Sequence, residues 1–145
     1  MTKTRRDRIL VVDDEQDARE LLAAAFTQMG ATVALAGNAA EALVAVRREA
    51  PHVLVSDIGM PGEDGYSLIR RVRGGESGAS RLPAVALTAY ATQDDVKRAL
   101  TAGYDVHVAK PVNAAHLGRI VAQLVDGVPR AVATDHTARL VLSES

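Results

Sequence analysis

The chain has 145 residues, a formal net charge of −1 and no cysteine. This length suits one ordinary domain with a sizeable core, and the near-neutral charge provides no field that would draw the whole protein to nucleic acid or an anionic membrane. The lack of cysteine excludes disulfides, thiolate metal sites and cysteine nucleophiles, and the 48% of hydrophobic residues, without tryptophan, predict a core of Val, Leu, Ile and Ala.

Short apolar runs alternate with segments of helical spacing along the chain. Several runs are rich in β-branched residues and lack polar alternation, which is typical of strands covered on both faces. The clearest helical segment runs from Ala18 to Met29, with apolar residues at i, i+3, i+4, i+7, i+8 and i+11. The five predicted strands are Ile9 to Val12, Thr32 to Ala36, Val53 to Val55, Ala84 to Leu87 and Val106 to Ala109.

Helix boundaries are marked by capping residues. Asn38, Thr92 and Asn113 have the side chains that favour a helix start, and Gly30 and Gly103 favour helix ends. Strands that alternate with helices over this length predict an α/β fold, a (βα)5 doubly wound parallel sheet with helices on both faces.

The predicted organisation is a basic N-terminal arm at residues 1 to 8, a folded domain at 9 to 126 and a mostly disordered C-terminal tail at 127 to 145. The tail holds too few spaced apolar residues for a packed element, so we expect it to be dispensable for folding. No apolar run approaches the roughly 20 residues that a membrane span needs. We therefore expect a soluble, cytoplasmic protein.

Polar residues stand where four of the predicted strands end. These residues are Asp13, Asp14, Asp57, Thr88 and Lys110. Singly, each is also explained by helix capping or by surface exposure, but the carboxyl ends of the strands meet at one edge of an open α/β sheet. Three carboxylates in one cleft repel one another unless a cation is present. Oxygen ligands without Cys or clustered His favour Mg²⁺ over Ca²⁺.

Four motifs occur in order at these strand ends. They are Val-Val-Asp-Asp-Glu at 11 to 15, Ser-Asp-Ile-Gly-Met-Pro at 56 to 61, Leu-Thr-Ala at 87 to 89 and Lys-Pro at 110 and 111. Together they resemble the response regulator receiver family of two-component signalling, over residues 9 to about 125. The resemblance implies a flavodoxin-like fold with strand order 2-1-3-4-5, of which the chemotaxis receiver is an example.

The same resemblance implies a role for each site residue. Asp57 would be the phosphoacceptor and, with Asp14, a direct Mg²⁺ ligand, whereas Asp13 would bind the ion through water. The carbonyl oxygen of Gly59 would be a further metal ligand. The Thr88 hydroxyl and the Lys110 ammonium would hold the phosphoryl oxygens. The bond between Lys110 and Pro111 would be cis, which aims the lysine back into the cleft.

The implied function is a signalling switch that catalyses only its own phosphorylation and dephosphorylation. The donor would be a phosphohistidine on a sensor histidine kinase or a phosphotransfer protein, and the output would be contact with a downstream protein. No direct DNA binding and no membrane contact are expected. A weak homodimer through the face of the fourth helix, fifth strand and fifth helix would be consistent with the family.

His107 departs from the family, which usually carries Tyr or Phe three residues before the lysine. We expect His107 to act with Thr88 as the output switch and to face the fourth and fifth helices. The alternative interpretation is a half-buried filler on the last strand.

Two other functions fit the sequence less well. A phosphohydrolase that resembles haloacid dehalogenases would carry a second Asp two residues after the nucleophile, where this chain has Gly59. A flavin carrier would need a Ser/Thr/Gly-rich phosphate loop in place of the anionic segment Asp13 to Glu15. Two further alternatives stay open: a receiver that belongs to a hybrid histidine kinase, and a receiver-like binding module that acts without phosphorylation.

Overall fold

The computed structural model describes residues 7 to 89 and 92 to 127. Five strands and five helices alternate strictly along this part of the chain. The strands are β1 (Arg8–Val12), β2 (Thr32–Ala36), β3 (Val53–Asp57), β4 (Ala84–Thr88) and β5 (Val106–Ala109). The helices are α1 (Gln16–Gln28), α2 (Ala39–Glu49), α3 (Gly65–Arg73), α4 (Gln93–Ala102) and α5 (Ala114–Val125).

The predicted (βα)5 alternation is confirmed. The strands extend further than their apolar runs, because Asp57 and Thr88 are the last residues of β3 and β4. Most of the predicted N-terminal arm and of the predicted C-terminal tail lies outside the described residues. The predictions about those two segments, including the dispensable tail, therefore stay predictions.

All five strands are parallel and follow the order β2-β1-β3-β4-β5, which confirms the predicted order. From β1 the chain first adds β2 on one side, and β3 then pairs with the other side of β1. The direction of winding therefore reverses between β1 and β3. Ligands of open α/β sheets bind outside the carboxyl ends of the strands at such a reversal.

The core consists of two apolar layers, one on each face of the sheet. Alternate strand residues point to opposite faces, so Ile9 and Val11 belong to one layer whereas Leu10 and Val12 belong to the other. Helices α1 and α5 cover the first layer, and α2, α3 and α4 cover the second. Burying one such Leu, Ile or Val side chain contributes about 1.5–3 kcal/mol. The two layers together therefore hold the strand ends in place relative to one another.

The predicted helix starts are confirmed by hydrogen bonds from side chains to backbone amides. The Asn38 side chain accepts from the Glu41 amide at 2.8 Å, and Thr92 accepts from the Asp95 amide at 3.1 Å. Asn113 caps α5 in the same way, accepting from an amide at 2.9 Å. Each cap satisfies a backbone donor that the first turn of a helix leaves without an internal partner.

Among the residues that the structure describes, no helix is both long enough and apolar enough to cross a membrane.

Candidate functional site

The predicted site residues meet at the carboxyl ends of the central strands. Asp13 and Asp14 follow β1, Asp57 ends β3, Thr88 ends β4 and Lys110 follows β5. Strands β1 and β3 are neighbours, so the two aspartates after β1 lie beside Asp57. Asp14, Asp57, Thr88 and Lys110 border a cleft of about 580 Å³ at the winding reversal, which the loop after β3 also lines.

Three carboxylates form an acidic cluster at this edge of the sheet. Asp13, Asp14 and Asp57 each offer an oxygen, and these oxygens lie within 4.8 Å of one another. Asp13 and Asp57 are buried whereas Asp14 is exposed. Burial raises the pKa of Asp13, and the nearby charge of Asp57 raises it further, although the Glu15 amide opposes the shift. A bound cation would relieve the repulsion within this group.

The two oxygens of Asp13 have different surroundings. Oδ1 accepts a hydrogen bond of 2.9 Å from the Glu15 amide. Oδ2 is buried and has no hydrogen-bond donor, and the Lys110 ammonium lies 3.7 Å from it, beyond hydrogen-bonding distance. A buried carboxylate oxygen without a donor is costly in a folded protein unless a water or a cation completes its surroundings. The donor set therefore fits Mg²⁺, a hard ion that prefers oxygen ligands and retains water.

Lys110 supplies the positive charge of the cleft. Its ammonium donates a hydrogen bond of 3.1 Å to Oδ1 of Asp57, and its backbone amide donates to the Thr88 carbonyl at 2.8 Å. Partial burial lowers the pKa of Lys110, but the hydrogen bond to Asp57 and the attraction of Asp57 and Asp13 together raise it above its ordinary value. Lys110 is therefore a permanent cation at neutral pH. The bond from Lys110 to Pro111 is cis, the geometry expected from the sequence.

Gly65, which the sequence interpretation did not single out, brings the start of α3 close to Asp57. A Cβ atom built on Gly59 would meet no atom within 4 Å, so packing does not require glycine there. A Cβ on Gly65 would lie 2.7 Å from the Asp57 carbonyl oxygen. Gly65 follows Asp64, whose side chain accepts from the Ser67 amide and caps α3. An Asp-Gly pair before a helical pattern is a signal that could have indicated this junction.

The far wall of the cleft is formed by residues that the sequence interpretation missed. Tyr66, on α3, is buried, and the Arg98 guanidinium, on α4, lies 4.1 Å from the centre of its ring. Both residues line the cleft together with Met60 and Asp95. No local pattern pairs an arginine with a tyrosine from another helix, so the sequence offered no signal for this contact.

His107 is buried on β5 and lies on the face of the sheet that α4 covers. Its neighbours Val106 and Val108 belong to the layer packed on α1 and α5, so alternation places His107 on the opposite face. Its partner in register is Ala86, which belongs to the layer covered by α2, α3 and α4. The expectation that His107 faces the fifth helix as well is therefore wrong, because α5 packs on the other side. Its role as a switch stays a prediction.

Comparison with known proteins gives one consistent result. The sequence model of the family described as the response regulator receiver domain matches residues 9–122. An uncharacterized 14.6 kDa protein of Leptolyngbya boryana is 49% identical over 115 residues, which are 79% of this chain and 87% of that protein. Hybrid signal transduction histidine kinase D of Dictyostelium discoideum is 31% identical over 125 residues, and the match covers 81% of this chain but only 8% of the kinase.

The fold is also similar to solved structures. The receiver domain of the Francisella response regulator 1452 superposes with a TM-score of 0.78 at 25% identity. That match covers 84% of this chain and 98% of the Francisella domain.

Proposed function

The chain belongs to the response regulator receiver domain family of two-component signalling, and we propose that it is a phosphoacceptor switch that becomes phosphorylated on Asp57 in an Mg²⁺-dependent reaction. One observation carries this proposal: three carboxylates and one ammonium converge on the winding reversal of the sheet, with Lys110 hydrogen-bonded to Asp57 at 3.1 Å. Phosphoryl transfer needs mainly positioning and the neutralisation of negative charge, and these groups provide both.

In the proposed reaction, a carboxylate oxygen of Asp57 forms a bond to the phosphorus of a phosphohistidine. The P–N bond of the donor breaks, and the imidazole leaves with the electron pair. The product is an acyl phosphate, a reactive linkage that suits a reversible signal. Lys110 and the hydroxyl of Thr88 would donate hydrogen bonds to the phosphoryl oxygens. In this proposal the chain acts on its own Asp57 as a switch, and not as an enzyme on other substrates.

Asp14, Asp57 and the carbonyl of Gly59 would hold Mg²⁺ directly, and Asp13 would hold it through water. When bound, the ion neutralises negative charge on the carboxylates and on the transferred group. The buried Asp13 Oδ2, which lacks a hydrogen-bond donor, supports the presence of a water or an ion beside it.

The proposed partners are a histidine kinase or a phosphotransfer protein as the donor, and a downstream protein as the target, all in the cytoplasm. A weak homodimer through α4, β5 and α5 is part of the same proposal.

Relatives include both a small protein and a hybrid kinase. A free-standing regulator and a receiver within a hybrid kinase are therefore both open, and an immunoblot that measures the size of the native chain distinguishes them.

The test is phosphorylation with acetyl phosphate and Mg²⁺, followed by intact-mass spectrometry. We expect one added phosphoryl group on the wild-type protein and none on Asp57→Asn. Asp95→Asn is the matched control, since Asp95 lines the same cleft but lies outside the cluster of three carboxylates. EDTA should prevent labelling. Labelling of Asp57→Asn equal to wild type would contradict the assignment, and an absence of labelling in the wild type would favour a module that acts without phosphorylation.

A further inference from the structure

Tyr104 is a large buried residue that connects two distant parts of the chain. It lies between α4 and β5, and only 3% of its surface is exposed. Its hydroxyl donates a hydrogen bond of 2.8 Å to the carbonyl oxygen of Gly65, a residue 39 positions earlier. Burial raises the pKa of the Tyr104 phenol, so the hydroxyl stays protonated at neutral pH and remains a donor.

The acceptor of this hydrogen bond packs directly against the end of β3. Gly65 has no room for a side chain, because a Cβ atom there would lie 2.7 Å from the Asp57 carbonyl oxygen and 2.8 Å from the Cα atom of Ile58. The Gly65 amide also donates to the Ile58 carbonyl at 3.0 Å. Tyr104 therefore holds a residue that packs directly against the backbone of Asp57 and Ile58.

The hydrogen bond from the Gly65 amide to the Ile58 carbonyl closes the base of the loop at residues 58 to 64. Ile58, Gly59 and Met60 of this loop line the cleft. The loop begins at Ile58, directly after β3, and its far end is joined to Ile58 through the hydrogen bond from Gly65. A shift of Gly65 would therefore move backbone that borders the carboxylate cluster.

A second residue ties the other end of α3 to the segment around Tyr104. The Arg73 guanidinium donates to the Gly103 carbonyl at 2.9 Å and to Oδ2 of Asp105 at 3.1 Å. Both ends of α3 are thus hydrogen-bonded to the turn between α4 and β5.

We propose that Tyr104 is a positioning residue for the cleft, which holds the loop at residues 58 to 64 in the geometry that binds Mg²⁺. The metal-binding part of this inference rests on the proposed function, whereas the loop-holding part does not. The hydroxyl of Tyr104 acts through Gly65 and through its hydrogen-bond partner Ser56, whose own hydroxyl donates to the Asp57 carbonyl at 3.0 Å.

The test compares Tyr104→Phe with the wild-type protein. This change keeps the ring, and with it the packing, but removes the hydrogen-bond donor. Ile120→Val is the matched control, because it removes one buried methyl group on α5, on the opposite face of the sheet. Amide hydrogen exchange of residues 58 to 65, without metal, reports the loop. Titration calorimetry with Mg²⁺ reports the cleft.

For Tyr104→Phe we expect exchange of the loop amides to be about three- to tenfold faster and the Kd for Mg²⁺ to rise by a similar factor, the size expected for one buried hydrogen bond. Ile120→Val should change neither quantity. Unchanged exchange in Tyr104→Phe, or an equal change in both variants, would overturn the inference. Faster exchange with an unchanged Kd would limit Tyr104 to a structural role and would also overturn it. If the wild type bound no Mg²⁺, the proposed function would fail, while the exchange rates would still decide whether Tyr104 holds the loop.

Discussion

Replacing Gly65 with alanine measures how tightly the first turn of α3 packs against the strand that ends in Asp57. The added Cβ atom would lie 2.7 Å from the Asp57 carbonyl oxygen and 2.8 Å from the Ile58 Cα atom. Both of these are backbone atoms, so no rotation of a side chain can relieve the contact. Either α3 or the end of β3 must move, and packed interiors resist such movement.

The expected loss of stability follows from two opposing effects. One extra methyl group in a well-packed interior costs about 1–3 kcal/mol, and contacts with backbone belong at the upper end of that range. Alanine has a better helix propensity than glycine by as much as about 1 kcal/mol, but the gain is smaller here because Gly65 is the first residue of α3. We therefore expect Gly65→Ala to lower the free energy of unfolding by about 2 kcal/mol.

Urea unfolding followed by circular dichroism measures this loss. With a denaturant slope of about 2 kcal/mol per molar, the midpoint should fall by about 1 M. Two other glycines serve as controls. Gly59→Ala adds an atom that meets nothing within 4 Å, so its effect should be within about 0.5 kcal/mol. Gly118→Ala contacts the sulfur of Met29, which is 49% exposed and can rotate away, so its cost should be smaller than that of Gly65→Ala.

A midpoint for Gly65→Ala that equals that of Gly59→Ala would refute this reasoning. It would mean that the junction between β3 and α3 has space that the distances to Asp57 and Ile58 do not allow. A loss for Gly118→Ala as large as for Gly65→Ala would also contradict it, since backbone and mobile side-chain contacts would then cost the same.

Three further predictions concern the cleft itself. Lys110→Met should slow labelling of Asp57 by acetyl phosphate about 10- to 100-fold, because it removes a charge-assisted hydrogen bond of about 1.5–3 kcal/mol. The control Lys97→Met, on α4, should be labelled at the wild-type rate. Equal rates for the two variants would contradict the role of Lys110. Mg²⁺ at about 100 times its Kd should stabilise the fold by about 2.7 kcal/mol, seen as a rise in Tm that EDTA reverses, and an unchanged Tm would argue against a metal site. Burial raises the pKa of Asp13 in the folded state. In the metal-free protein the protonated Asp13 carboxyl therefore contributes stability below the ordinary pKa of aspartate, and this stability is lost as the pH rises through the raised pKa of Asp13. Metal-free Asp13→Asn should therefore have a higher Tm than the wild type near pH 7, with a smaller difference near pH 3; a difference that grows as the pH falls would show the opposite sign.

Much of the fold could be predicted from the sequence because its determinants are local. Strands covered on both faces leave continuous apolar runs such as Val53 to Val55, and helix caps such as Asn38 depend on a residue only three positions away. The acidic site was predictable for a related reason. In a parallel α/β sheet the carboxyl ends of the strands meet at one edge, so Asp13 and Asp57 had to lie near each other once the strands were recognised.

The side of the sheet that each helix covers was less predictable, and His107 illustrates the reason. Alternation along β5 places His107 opposite Val106 and Val108, which the sequence already indicates. Which helix covers which face depends on the direction in which the chain crosses between strands. Only the folded structure established that α5 packs on the valine face, whereas α4 covers the face of His107.

The sequence by itself determined the residue types of the site, the order of strands and helices, and the sheet edge at which the charges meet. Only the tertiary structure decided the contacts that hold the site in place: the close approach of Gly65 to Asp57, the hydrogen bond from Tyr104 to Gly65, and the position of Arg98 over Tyr66. These contacts join residues from separate elements, and a tyrosine in a sequence looks the same whether its hydroxyl meets water or a buried carbonyl. Packing of the whole domain selects between the two, because a buried polar group must find a partner within the fold.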